Sequence, residues 1–303
     1  MWGMGGWTGS DDAESLVALQ KAVDLGLNFF DTAWAYGAGH SERLLGQLLL
    51  ANPGKTLYVA TKIPPRNLIW PARASGLEDV FPPEYIRLCT ERSLTNLGIA
   101  AIDLMQFHVW HDAWARDDRW QGEVGALKDE GLVRAWGISV NRWEPANVLE
   151  ALRPGLIDAV QVIYNIFDQN PEDELFPQCR EADVAVIARV PFDEGSLTGT
   201  LTANSRWPEG DWRNRYFTPE NLLPTLERVE ALRRVVPDGM TLPELALRFI
   251  LQNPRVATAI PGMRTVAHVV ANVAASDGQR LPPTLMAELL RHRWVRTPAP
   301  WSD

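Results

Sequence analysis

Cysteine is scarce, with two residues in a chain of 303. Cys89 and Cys179 stand far apart without CxxC spacing, so neither a disulfide framework nor a zinc site is implied, and each reads as a small buried hydrophobe. No apolar run approaches the ~18 residues that a membrane span needs. Met1-Trp-Gly-Met-Gly-Gly-Trp7 lacks the basic and apolar regions of a signal peptide, so a reducing, cytoplasmic location is expected. Positive charge is not in excess either. A net charge of -9 and a pI near 5.2 argue against nucleic acid or an anionic membrane as the main partner. Gly3-x-Gly5 does not continue into GxGxxG, Asn52-Pro-Gly-Lys-Thr56 lacks the first glycine of a P-loop, and no HxH strand or HExxH helix offers a catalytic metal.

What remains is the composition of a globular protein with a large core, 46% hydrophobic and 22% charged, at a length that a single α/β domain over 1–303 can reach. Apolar runs and helical spacings alternate along it. Strands are predicted to begin at Asn28, Leu57, Ile102, Val133, Ala159, Val184 and Val256. Between them, helices are predicted from Asp11 to Leu25, Ser41 to Ala51, Glu84 to Leu97 and Trp120 to Glu130. Further helices are expected to start at Glu144-Pro145 and to run from Glu172 to Glu181, Pro219 to Val235, Leu242 to Gln252, Thr265 to Ala275 and Pro282 to Arg291. Such an order implies a parallel sheet with right-handed crossovers. Phe192 to Phe217 has no clear periodicity and reads as a functional flap.

The polar residues gather at strand ends. Leu27-Asn-Phe-Phe30 runs into Asp31-Thr-Ala-Trp34-Ala-Tyr36-Gly-Ala-Gly-His-Ser41, the second strand ends at Lys62, and the third ends at His108. Parallel α/β proteins place their chemistry at such carboxyl ends. Taken singly, Asp31 could merely cap its loop, Tyr36 could be a half-buried aromatic, Lys62 a solvated lysine, and His111 a rival of His108. Strand parity favours His108, which shares a face with Gln106.

This constellation resembles, nearly letter for letter around Asp31 to Gly46, the aldo-keto reductase family, and the resemblance extends over nearly the whole chain. It implies a (β/α)8 TIM barrel with a nicotinamide cofactor, NADPH by preference with NADH possible, and a small-molecule aldehyde or ketone as substrate. Only seven strands are predicted. Met1 to Gly6 looks like the tail of the family's first strand, which would therefore be truncated, with roughly 20 residues expected upstream. In the implied mechanism Tyr36 is the proton donor, Lys62 and Asp31 tune it, and His108 orients the carbonyl. A lysine ammonium ~4 Å away favours tyrosinate by roughly 4 kcal/mol at an effective dielectric near 20, about three pK units before desolvation subtracts some.

By the same resemblance Ser139, Asn141 and Gln161 would serve the nicotinamide carboxamide, although Val140 stands where the family often has asparagine. Arg189 falls where many members stack a ring on the nicotinamide. Phe192, Gly195 and Leu197 match a loop over the pyrophosphate, and Gly262, Arg264, His268 and Asn272 match the adenosine end, Arg264 favouring a 2'-phosphate. Trp34 and Trp110 would line the substrate cleft, although core packing explains several of the tryptophans equally well. An alternative is a nucleotide-binding regulatory or redox-sensing barrel subunit with little turnover.

Overall fold

The computed structural model describes residues 10–71 and 75–296. Met1 to Gly6, where the first barrel strand was expected, lies outside them. Seven strands do form, all parallel and in chain order: β1 (Phe29–Asp31), β2 (Tyr58–Ile63), β3 (Ile102–Phe107), β4 (Val133–Ser139), β5 (Ala159–Ile163), β6 (Ala185–Arg189) and β7 (Val256–Ala259). They are seven staves of a (β/α)8 barrel. Helix α1 (Asp12–Asp24) packs against α8 (Val266–Ala274), so the outer ring closes across the sheet's two edges.

Local signals explain the flanking helices. The Asp11 side chain caps α1 by accepting from Glu14 N at 2.8 Å. Helix α2 (His40–Ala51) lays Leu44, Leu45 and Leu48 inward, and α3 (Pro83–Leu97) starts on proline and ends at Gly98, whose φ of +66° closes the turn. The remaining long helices are α4 (Asp118–Asp129), α5 (Leu175–Glu181), α6 (Pro219–Arg233), α7 (Leu242–Leu251), α8 and α9 (Pro283–Leu290). No helix among the described residues is long and apolar enough to cross a membrane.

Two segments depart from expectation. After β4 no α-helix starts at Glu144-Pro145; turns lead to a single 3-10 turn, Leu149–Ala151. The Asn141 and Asn147 amides both donate to Trp110 O, and Asn141 also donates to Glu144. Side chains that satisfy backbone groups of another segment hold these residues in turns instead of a helix. The expected flap is largely built in: Asp193–Thr198 is a kinked 3-10 segment whose Leu197 is buried, and Arg213–Tyr216 forms one helical turn.

Among the described residues there are three apolar clusters, the smallest being Tyr216, Phe217 and Leu222 with Trp143, Trp207 and Trp212 packed on them; the other two belong to the barrel. A large one lies between strands and helices and includes Phe107, Trp110, Trp120 and Trp136, with Phe107 within 5.6 Å ring-to-ring of each tryptophan. A small one fills the barrel itself: Ala60, Leu104, Ala159 and Ile187, with Phe29, Ala135 and Ile260 packed on it. Cys89 and Cys179 are buried and unpaired, and burial pushes their thiols up to about 11 and about 12. Because Phe107 wedges these tryptophans together, Phe107→Ala is expected to cost about 3–5 kcal/mol of stability, read as a lowered denaturant midpoint.

Candidate active site

Side chains two apart on a strand share a face. Phe29, Ala60, Leu104, Ala159 and Ile187 line the barrel's interior, so the residues two positions on, Asp31, Lys62, Gln106, Gln161 and Arg189, form the next layer toward the carboxyl ends. An apolar floor thus carries a polar storey. Gly137, opposite Gln106 in register, makes room for it: a Cβ there would lie 2.9 Å from Ala159 O and 3.1 Å from Gln106 Cγ.

Lys62, 1% exposed, donates to both carboxylate oxygens of Asp31 and to Thr32 O at 2.8 Å. Gln161 Nε2 donates to the same carboxylate at 3.1 and 3.3 Å and contacts Gln106 Oε1 at 3.3 Å. The loop that follows Asp31 is tied from several sides. Thr32 Oγ1 donates to Ser41 Oγ at 2.8 Å, and the buried Glu42 accepts from Thr61 Oγ1 at 2.7 Å and Asn96 Nδ2 at 2.8 Å. Gly37 and Gly39, with φ of +67° and +82°, allow its tight path.

That path carries Tyr36 over the storey. Its ring centroid is 5.4 Å from Lys62 Nζ and 5.8 Å from the His108 ring, edge to face. Desolvation raises the Tyr36 phenol above its ordinary range, and the Asp31 charge adds to this; Lys62 and Arg189 oppose it without prevailing. Lys62 does pull the phenol down, as expected, but desolvation outweighs it, so the net shift is upward. Asp31 offsets part of the lysine's field, and burial decides the sign. His108 is held well below its usual pKa by burial, then by Lys62 and Arg189, so it is neutral near pH 7, and its Nδ1 is buried without a partner. His111 is no rival: its Nδ1 accepts from Ala113 N at 3.1 Å and caps the next turn.

Ser139 sits at the end of β4 beside Gln161 in register. Arg189 ends β6 and donates through Nη2 to Val140 O at 2.9 Å. Asn141 stands apart from the storey, holding the Trp110 carbonyl. Phe192, Gly195 and Leu197 form the turn after β6, with Gly195 N and Leu197 N both bonded to Phe192 O. Gly262, Arg264, His268 and Asn272 gather where β7 leads into α8: Thr265 caps the helix by accepting from His268 N at 3.2 Å, and Asn272 Nδ2 reaches Gly262 O at 3.5 Å.

Of the two tryptophans expected in the cleft, Trp110 is buried, while Trp34 sits on the loop that carries Tyr36, its backbone N–H donating to Lys62 O at 3.3 Å. Trp110 is 0% exposed and stacked on Phe107, so it is core. Trp34 lines a groove of about 270 Å³ with Leu88, Arg92 and Asn96 of α3. The aromatic that does stand over the site is Trp70, 41% exposed and edge-on to His108 at 4.6 Å. Alternation of Leu104 and Gln106 could have revealed Gln106; nothing in the loop sequence marks Trp70.

The aldo/keto reductase family model matches residues 1–292. The chain belongs to the aldo/keto reductase family. It is 31% identical to the NADH-specific methylglyoxal reductase of Escherichia coli, across 95% of this chain and 93% of that protein. In structure it resembles the aldo-keto reductase AKR11C1 of Bacillus halodurans in its holo form (TM-score 0.75, 27% identity, covering 100% of this chain and 95% of that one). It also resembles the glycerol dehydrogenase AKR11B4 of Gluconobacter oxydans (TM-score 0.76, 27% identity, 99% and 92%). This reductase is thus an oxidoreductase that uses a nicotinamide cofactor to interconvert small carbonyl compounds and alcohols. The site fits that cofactor: His108 Nδ1, Gln106 Nε2 and Arg189 Nε are buried polar atoms without protein partners at the barrel mouth.

The buried pair gives the first test of this arrangement. Lys62→Met should cost about 3–5 kcal/mol by stranding the Asp31 carboxylate, while the double variant Lys62→Met/Asp31→Asn should recover part of it. Denaturant unfolding of the three variants measures this coupling; additive losses would show that the two charges do not depend on each other.

Proposed function

We propose that the reductase works toward carbonyl reduction, with Tyr36 as the proton donor. The observation that carries this reading is the Tyr36 ring set 5.4 Å from Lys62 Nζ, itself paired with Asp31, and edge to face with His108. The bound nicotinamide would supply a hydride to the carbonyl carbon. As negative charge builds on the carbonyl oxygen, the phenol releases its proton there and Lys62 stabilises the phenolate left behind. Neutral His108, with a nitrogen unclaimed by protein, holds the carbonyl oxygen in reach. Asp31 and Gln161 position Lys62, and Ser139 and Gln161 hold the carboxamide. Trp70 would limit the carbonyl's substituents to small groups.

NADPH is our preferred cofactor because Arg264 and the α8 N-terminus together suit a 2'-phosphate. The NADH specificity of the Escherichia coli relative makes NADH the direct competitor. We read residues 1–303 as one domain and, from its two buried thiols, place it in a reducing cytoplasm.

Tyr36→Phe should lower kcat for an aldehyde panel by about 100-fold or more while leaving cofactor binding intact. Because His108 titrates well below its usual range and Tyr36 above its own, both stay in their working forms through neutrality. Reduction should therefore show no inflection near about pH 6.5 and should decline only in the alkaline range near or above about 10. An inflection close to neutrality in kcat/KM would contradict the assignment. For the cofactor, Arg264→Ala should raise KM for NADPH about tenfold and leave KM for NADH nearly unchanged. Equal effects on both would remove Arg264 from 2'-phosphate recognition.

A further inference from the structure

Arg189 occupies the same inward layer as the proposed catalytic side chains. Ile187, two residues earlier, belongs to the apolar floor, so strand alternation turns Arg189 into the storey with Asp31, Lys62, Gln106 and Gln161. Its Nη2 reaches Val140 O at the end of β4, so the guanidinium spans the mouth from β6 across the end of β5. Its Nε is buried and has no partner.

The neighbouring carboxylates are committed elsewhere. Asp31 is held by Lys62, and Glu194 pairs with Arg142 at 2.8 Å. Among the described residues no carboxylate lies within ion-pair distance of Arg189, so the layer carries one uncompensated positive charge. Burial and the nearby Arg142 push the guanidinium down to about 10, opposed by Glu194, Tyr36 and Asp31, and it is cationic at neutral pH. Its field reaches both Tyr36 and His108.

We propose that Arg189 makes this site bind the reduced dinucleotide more tightly than the oxidised one, biasing the bound couple toward carbonyl reduction. The inference rests on the reading that the nicotinamide lies beside Tyr36. In reduction a hydride, carrying two electrons, leaves the ring and forms the new C–H bond, while the Tyr36 proton goes to the oxygen. The ring is neutral before this transfer and carries one positive charge after it. A fixed cation in the same layer repels only the second form. The dinucleotide's phosphates are common to both forms and cancel from the ratio of affinities.

The test compares dissociation constants of NADPH and NADP+, and of NADH and NAD+, by titration calorimetry on the unaltered protein, Arg189→Lys and Arg189→Met. The unaltered protein should favour the reduced form. Arg189→Met should lower the oxidised-to-reduced ratio of dissociation constants by about tenfold, the effect of a unit charge ~10 Å away at an effective dielectric near 20. Arg189→Lys should keep most of the preference. An unchanged ratio in Arg189→Met, with both forms binding, overturns this inference and leaves the proposed function standing. If Arg189→Met does not fold, equal or tighter binding of the oxidised form by the unaltered protein overturns it. Failure of the unaltered protein to bind either form would overturn the functional reading and this inference with it.

Discussion

The ion pair of Lys62 and Asp31 is the constraint on which the mouth of this barrel depends. Removing two charges from water costs several kcal/mol per ion unless each is paired and its remaining donors and acceptors are met. Here the ammonium is shared between a carboxylate and the Thr32 carbonyl, and the carboxylate also accepts from Gln161. Gln161 in turn has its amide turned toward Gln106. Four strands, β1, β2, β3 and β5, therefore contribute to one polar network. Lys62, Asp31 and Gln161 are oriented by the buried charge they share, and Gln106 by its bond to Gln161.

The same pair sets the chemistry of the phenol above it. A lone buried ammonium would drive Tyr36 toward its anion, and the protonated form needed for reduction would be lost near neutrality. Asp31 offsets part of the ammonium's field, and desolvation, the largest influence, holds the phenol above its ordinary range. Lys62 remains close enough to stabilise the phenolate once the proton has gone. The apolar floor of Ala60, Leu104, Ala159 and Ile187 matters here because it keeps water from entering the storey from below.

Strands, most helix starts and the polar strand ends at Asp31, Lys62 and His108 were legible in the sequence from local signals, whereas their reading as one set with Tyr36 came from the family resemblance. Alternation marks the strands, Asp11 and Thr265 mark helix caps by their side chains, and polar residues directly follow apolar strands. What could not be read depends on partners distant in the chain. The helix expected at Glu144 is replaced by turns because Asn141 and Asn147 bond to a carbonyl more than thirty residues earlier. Trp110 has the composition of a cleft residue, and only the packing of Phe107 and Trp120 around it makes it core. The sign of the Tyr36 shift lay beyond a pairwise estimate from Lys62, which left out the carboxylate on the lysine's other side.

The turn after β6 shows this long-range dependence most strongly. Val190, Asp193 and Glu194 all have positive φ, of +55°, +45° and +55°, a conformation that costs a non-glycine residue roughly 1–2 kcal/mol. Local bonds hold part of this turn, Ser196 Oγ donating to Asp193 Oδ2 at 2.5 Å and Asp193 N to Val190 O at 3.1 Å. Arg296, more than a hundred residues on and itself buried, pairs with Asp193 at 2.8 Å, lies 3.6 Å from Asp168, and donates to the Tyr216 hydroxyl at 2.8 Å. Arg142 takes Glu194 from the opposite side. Two arginines from other parts of the chain thus fix the carboxylates that the local bonds leave facing outward from the turn. Because Arg142 is occupied by Glu194, it leaves Arg189, the residue just before the turn, as the cation facing the barrel mouth.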